Sequence, residues 1–188
     1  MLVYHWFRDN SFIEISFFPT WQRIDFNFAP LQITIPQVRY FYTRTNIEYN
    51  TDRSRKLSAS TKVLLGRFYD GHLLTWNAGL RYAPTPHAAF TFDYELNAAR
   101  SLGIQNEDKD VHLYSGGLRL ALNPQLQATA FYQYNALGKT GRWNARLSWE
   151  YRPLSFLYLV FNDTRSDLGL DRFRTTGAIA KVNWMRQF

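Results

Sequence analysis

The chain has 188 residues, of which 46% are hydrophobic and 18% aromatic, and this composition excludes a disordered tail. It contains no cysteine, which excludes disulfides, thiolate metal sites and a cysteine nucleophile. The mean hydropathy is −0.36 and no apolar run approaches the roughly 18 residues of a transmembrane helix, although a β-barrel is not excluded. Lys and Arg outnumber Asp and Glu by 22 to 15. A net positive charge is compatible with phosphates, nucleic acid and anionic membranes as partners, and it does not distinguish among them.

The N-terminal part of the sequence predicts strands less clearly than the rest. Residues 2–7 favour a short strand, and residues 11–28 favour one long strand or two short ones around Pro19. Residues 38–49 and 56–68 favour two further strands joined at 50–55. The first ten residues have no basic region followed by a long apolar core, so they do not predict a signal peptide.

From residue 74 onward, apolar and polar residues alternate with a period of two. Because neighbouring side chains on a strand point to opposite faces, each such segment predicts a strand with one apolar and one polar face. The alternation is found in segments 74–82, 88–97, 114–122, 126–135, 143–152 and 178–188. Segment 154–165 is apolar on both faces at its start. We expect about ten strands, no helix of three turns and a single domain over residues 1–188.

The connections between these segments also favour a particular architecture. Short connections with proline at 83–87, 123–125 and 152–155 alternate with longer polar stretches at 100–109, 137–141 and 166–174. Tight periplasmic turns and longer outer loops are typical of outer-membrane barrels. The sequence therefore predicts an all-β, antiparallel up-and-down transmembrane β-barrel, or part of a larger barrel.

The two faces of the predicted strands give the candidate site residues. We expect the polar set to face the lumen: Arg81, Asp93, Glu95, Arg119, Gln133, Arg146, Glu150 and Lys181. We expect the aromatic set to face the membrane: Trp76, Phe90, Phe92, Trp143, Trp149, Trp184 and Phe188. A soluble sandwich would instead enclose the apolar set between two sheets. Aromatic residues near strand ends favour the membrane, because their rings suit its boundary with water.

The C-terminal segment ends in Phe188, with apolar residues at alternate positions before it. This pattern resembles the signal that the outer-membrane assembly machinery reads, so that machinery is an expected partner, beside the lipid bilayer and lipopolysaccharide. If Phe188 lies at the periplasmic rim, strand parity puts all three proline-bearing turns on that same side. The expected location is the bacterial outer membrane.

Several segments resemble an uncharacterised outer-membrane barrel domain. They are YNTDRSR at 49–55, GRFYDG at 66–71, QYN at 133–135, RLSWEYRP at 146–153 and LYLVFN at 157–162. In that family the barrel is the C-terminal part of a larger chain whose N-terminal part is similar to a family-nine carbohydrate-binding domain. The resemblance covers roughly residues 38–188 and implies that this chain is the C-terminal portion of a longer protein. It supplies no catalytic residues.

Other chemistry has weaker support in the sequence. Asp93 and Glu95 lie two apart, as a glycosidase pair could, but lumen charges paired with arginine explain them better. The four histidines are scattered, which predicts no metal site, and no motif predicts a cofactor. The basic residues Arg53, Arg55 and Lys56 are not accompanied by a nucleic-acid motif, so nucleic acid is not an expected partner.

Three functions remain in view from the sequence. The preferred hypothesis is a barrel that anchors or passes small solutes through a charged lumen without catalysis of its own. The alternatives are an outer-membrane barrel hydrolase of sugar or lipid, and a soluble all-β binding protein.

Overall fold

A computed structural model of the chain describes residues 2–168 and 171–185. The described residues form eleven strands, which agrees with the expected number of about ten. They are β1 (Leu2–Trp6), β2 (Phe12–Arg23), β3 (Arg39–Asn50), β4 (Leu57–Phe68), β5 (Gly71–Thr85), β6 (Ala88–Leu102), β7 (Glu107–Ala121), β8 (Leu126–Asn135), β9 (Thr140–Arg152), β10 (Ser155–Leu168) and β11 (Asp171–Asn183). A single 3₁₀ turn, Pro30–Gln32, is the one helical element of the described residues.

The eleven strands form one antiparallel sheet in which each strand lies beside its neighbours in sequence, from β1 to β11. This is the up-and-down order that the alternation predicts. The register brings residues of like character together across strands. Ala145 of β9, for example, pairs with Ala130 of β8 and with Phe161 of β10.

The connections differ from the predicted rhythm of short and long loops. Stretches 100–109 and 137–141, expected to be long loops, are mostly strand: β6 and β7 are separated by residues 103–106 and β8 and β9 by residues 136–139. The third stretch, 166–174, likewise belongs largely to β10 and β11. The expectation of long loops at one end of the strands is therefore wrong, because polar residues there extend the hairpins instead of ending them.

Side-chain and backbone features specific to tight turns close these hairpins. The Asn123 side-chain oxygen accepts hydrogen bonds from the backbone N–H groups of Gln125 (3.0 Å) and Leu126 (2.7 Å). The Asn135 oxygen accepts from the N–H groups of Leu137 and Gly138 in the same way. Asparagine favours turns because its side chain can replace a backbone acceptor.

The contacts of the chain divide into two compact units. Unit 1 comprises Met1–Ser54, Ser58–Gly79 and Tyr94–His112. Unit 2 comprises Arg55–Leu57, Leu80–Asp93 and Leu113–Phe188.

Unit 1 contains a conventional hydrophobic cluster built around the connection between β2 and β3. The sequence predicted strand up to residue 28, but β2 ends at Arg23 and the chain then turns through the 3₁₀ element. Ile24, Ile33 and Ile35 of this connection are almost fully buried. They pack with residues of β3, β5, β6 and the β4–β5 turn: Tyr40, Tyr42, Tyr69, Leu73, Ala99 and Leu102.

Tyr69 is one of three tyrosines in this cluster. Its hydroxyl donates a hydrogen bond to Gln22 Oε1 at 3.2 Å. Burial, reinforced by the neighbouring Tyr42, raises the pKa of Tyr69 to about 12. The phenol therefore stays neutral, as its position among apolar and aromatic side chains requires.

Replacing Gly103 tests how closely the β2–β3 connection packs against the β6–β7 turn. Gly103 has a φ of +77°, and a Cβ there would lie 2.5 Å from both Ile33 Cγ2 and the carbonyl oxygen of Thr34. We expect Gly103→Ala to lower the free energy of unfolding by about 1–3 kcal/mol, measured as the urea midpoint. Gly177→Ala is the control, because a Cβ at Gly177 meets nothing within 4 Å. Equal midpoints for the two variants would contradict the packing described.

Candidate functional site

The exposed face of the sheet carries large apolar side chains. Trp76, Phe90 and Trp149 expose 38%, 46% and 45% of their surface, and Trp184, just after β11, exposes 65%. A soluble sandwich would enclose such rings between two sheets. The described chain instead forms one sheet on which these rings are exposed. Phe92 and Trp143 are exposed as well, whereas Phe188 lies outside the described residues.

The opposite face of the sheet buries polar residues. Ser16 of β2 and Asn46 of β3 are cross-strand partners, both are buried, and Asn46 Nδ2 donates to Ser16 Oγ at 3.2 Å. Asn50 and Ser58 on this face are buried too. Burial of polar side chains on one face, opposite a face of exposed aromatic rings, is unusual for a water-soluble sheet.

In unit 1 half-buried polar side chains form a hydrogen-bonded chain across several strands. Arg44 Nη2 donates to Thr75 Oγ1 at 3.2 Å, and Thr75 Oγ1 donates to Asn97 Oδ1 at 2.8 Å. Asn97 Nδ2 donates to Glu95 Oε1 at 2.6 Å. The guanidinium of Arg44 also lies 5.3 Å from the centre of the Phe68 ring. Side-chain hydrogen bonds thus connect β3, β5 and β6 on this face.

A second group of polar contacts in unit 1 centres on Glu48. Its carboxylate accepts a hydrogen bond from Asn50 Nδ2 at 2.7 Å and lies 3.6 Å from Lys62 Nζ.

Among the described side chains, two buried polar atoms have no protein partner: Arg44 Nε and Asn46 Oδ1.

The eight predicted lumen residues occupy alternate strand positions, opposite in parity to the exposed aromatic residues. Four are half-buried: Arg81, Glu95, Gln133 and Glu150. The other four are exposed: Asp93, Arg119, Arg146 and Lys181.

Three of these residues have defined partners in unit 2. Arg119 donates to Gln127 Oε1 at 3.4 Å, and the Arg146 guanidinium lies 4.7 Å from the centre of the Tyr158 ring. Glu150 Oε1 accepts the backbone N–H of Leu154 at 2.9 Å. The carboxylate of Glu150 therefore stabilises the β9–β10 turn, a role that its place in the alternation does not reveal.

The geometry gives little support to catalytic or metal chemistry. Glu95 is engaged by Asn97, and Asp93 is exposed. Within the described part of the chain, no group of three or more potential ligands could hold a metal ion. Arg53, Arg55 and Lys56 lie exposed in the β3–β4 turn.

The β10–β11 hairpin contains a charged cluster that the sequence did not predict. Asp163 exposes only 3% of its side chain, and it accepts hydrogen bonds from Arg165 Nε and Arg174 Nε, both at 2.8 Å. Thr176 Oγ1 donates to the same carboxylate at 2.5 Å. Asp163 pairs across the strands with Trp143, so the cluster lies on the apolar face. In the sequence, Asp163 stands at a position where the alternation calls for an apolar residue. That exception is the one sign of the cluster that the sequence contains.

The comparisons with known proteins return no relatives. No protein-family model, no curated protein and no solved structure matches the chain. The resemblance to the uncharacterised barrel domain stays a prediction. Among the residues that the structure covers, no helix is both long enough and apolar enough to cross a membrane.

Changing Asp163 tests whether its carboxylate organises the hairpin. We expect Asp163→Asn to weaken its hydrogen bonds with both arginines and to speed amide hydrogen exchange in β11 by roughly tenfold. Asp167→Asn is the matched control, because Asp167 pairs with Arg172 at 2.7 Å while both side chains stay largely exposed. Exposed pairs contribute little, so the control should leave exchange nearly unchanged. Similar exchange rates in the two variants would rule out this role.

Proposed function

We propose that the protein is a bacterial outer-membrane β-barrel that serves as an anchor, or passes small solutes, and has no catalytic activity of its own. The observation that carries this proposal is a sheet face covered with exposed apolar rings such as Trp76 and Phe90, while polar residues such as Asn46 are buried on the opposite face. Hydrocarbon outside and a polar interior give that distribution a favourable free energy. In water, exposing so many large apolar side chains would promote association.

The order of side chains along the apolar face of unit 2 supports a spanning band. One cross-strand row contains Leu126, Trp149, Leu157 and Val182. The next two rows consist of alanine and leucine residues, with Phe161 as the one aromatic residue. The row after them contains Tyr132 and Trp143. Trp143 and Trp149 span seven residues, and with Tyr151, one row beyond Trp149, the stretch of β9 reaches nine residues, the lower end of what a tilted strand needs to cross the hydrocarbon core. Aromatic residues at both ends of an aliphatic band resemble the two girdles of membrane barrels.

Backbone hydrogen bonding sets a requirement for this proposal. A bilayer core offers no water to unpaired N–H and C=O groups, so a spanning sheet cannot leave an edge open. The two strands at the ends of the sheet order are β1 and β11. In the proposed barrel the free edges of both are paired, with each other or with further strands.

The polar network favours an anchor over an open pore. In unit 1 the chain from Arg44 to Glu95 and the contacts of Glu48 occupy the polar face with side chains bonded to one another. When polar side chains hydrogen-bond to one another inside a barrel of about eleven strands, they leave less space for a water-filled channel.

The remaining partners follow from the same proposal. Lipid bilayer and lipopolysaccharide would surround the apolar face, and the assembly machinery would read the C-terminal strand that ends at Phe188. The family resemblance adds a carbohydrate-binding part N-terminal to the barrel, which would then be held at the cell surface or in the periplasm.

Arginine substitutions on the two faces of the sheet test the membrane proposal. Leu159 is exposed in the aliphatic band, and Ser148 lies on the opposite face at about the same level. We expect Leu159→Arg to destabilise the protein in phospholipid vesicles by about 2–4 kcal/mol, because its charge would enter hydrocarbon. Ser148→Arg should cost less than about 1 kcal/mol, measured by urea unfolding in the same vesicles. Equal effects, or a monomer that folds in detergent-free buffer, would overturn the proposal.

Planar-bilayer recordings distinguish an anchor from a pore. Because the polar side chains of unit 1 bond to one another, we expect inserted protein to give no steady current. A bilayer that receives buffer alone controls for leakage. Fragments of the protein that resist added protease confirm that it has inserted. A sustained, ion-selective current from inserted protein would reject the anchor and leave solute passage as the function.

A further inference from the structure

We propose that the apolar face of β7–β11 binds a phosphate-bearing membrane lipid, with its phosphate at Arg165 and Arg174 and an acyl chain in an adjoining groove. This inference rests on the proposed function, since it places that face in a bilayer. The inference adds a site for one class of lipid to a surface that would otherwise contact all membrane lipids alike.

The first observation is an apolar groove of about 620 Å³ on this face. Leu120 of β7 and Phe161 of β10 stand among its lining residues, whereas Ala130, Ala145 and Ala178 also line it and have short side chains. The cross-strand register places Ala130, Ala145, Phe161 and Ala178 in one row. A depression lined almost entirely by apolar side chains has the polarity that a hydrocarbon chain requires.

The second observation is the cationic group beyond one end of this groove. Arg165 and Arg174 are cross-strand partners four residues along their strands from Phe161 and Ala178. Both hold Asp163 through Nε while their side chains remain 63% and 56% exposed. A carboxylate that is itself buried fixes the two guanidinium groups side by side, in an arrangement suited to a phosphate.

The third observation is the composition of the surface between groove and arginines. The rings of Tyr132 and Trp143 lie with centroids 4.7 Å apart, in the row between the two regions. A separate cavity of about 250 Å³ is lined by these rings together with Lys139 and Arg165. Aromatic rings of this kind favour the level of lipid head groups, where apolar and polar surroundings meet.

Local charge favours an anionic occupant. On the apolar face, the ends of β10 and β11 and the β8–β9 turn bring together Lys139, Arg165, Arg172 and Arg174 against Asp163 and Asp167. The excess of two positive charges complements a lipid phosphate. An apolar groove with a cationic, aromatic-bordered region two rows beyond it points to an amphipathic anion and not to a free phosphate or to a second protein.

Lipid binding to the protein in nonionic detergent micelles tests this inference, with bound lipids counted by native mass spectrometry. The probes are dilauroyl phosphatidic acid, dilauroyl phosphatidylcholine and inorganic phosphate. We expect phosphatidic acid to bind at least about tenfold more tightly than phosphatidylcholine, because it alone offers an unshielded phosphate to the arginines. Inorganic phosphate at equal concentration should not compete, since it lacks the acyl chain.

Three variants separate the head-group contact from the groove. Arg165→Gln with Arg174→Gln should abolish the preference for phosphatidic acid. Ala145→Phe leaves the contacts of Asp163 intact but fills the groove, so it should weaken the binding of both lipids. This variant keeps the test decisive if the double variant fails to fold. Arg119→Gln, whose guanidinium donates to Gln127 on the other face and does not line the groove, is the control and should bind as the unchanged protein does.

The outcomes distinguish this inference from the proposed function. Equal affinity for the two lipids, an unchanged preference in the folded double variant, or full binding by Ala145→Phe would overturn the lipid site. Competition by inorganic phosphate would overturn the acyl-chain component. In each case insertion into neutral vesicles would still support the barrel, whereas failure of the unchanged protein to insert would remove the basis of both proposals.

Discussion

The structure depends on the registered pairing of strands whose side chains alternate between two faces. Hydrogen bonds fix which residues stand opposite one another, and the period of two then decides which side chains share a face. Tight turns maintain that register, as where Asn123 closes the β7–β8 hairpin. The result is a sheet on which residues of one character stand together over many strands, with Trp149 and its apolar partners on one side and Arg146 on the other.

Polar contacts carry much of the packing on the less exposed face. Arg44, Thr75 and Asn97 bond in sequence, each satisfying a group that would be costly to bury alone. Conventional hydrophobic packing is concentrated in unit 1, around Ile33 and Tyr69. The two modes have different specificity, because hydrogen bonds require particular partners whereas aliphatic contacts tolerate exchange.

The alternation was sufficient to predict the strand order and the parity of each face, because both follow from local sequence and from short connections. It did not predict turn lengths, since the polar residues at 100–109 are equally compatible with a loop and with a hairpin whose ends are solvated. The connection from Ile24 to Val38 was also misassigned, as its isoleucines pack against residues distant in sequence. The Asp163 cluster was missed for a related reason: its arginines come from two strands, and only their register brings them to one carboxylate.

The hairpin order of the sheet has a consequence for how its sequence can change in length. One residue inserted within a strand would reverse the facing of every side chain between that point and the next turn, moving residues such as Leu159 to the polar side. Two inserted residues would restore the facing and only lengthen the hairpin. Evolution of such a chain should therefore retain strand insertions and deletions of even length far more often than odd ones, except where a bulge absorbs the extra residue.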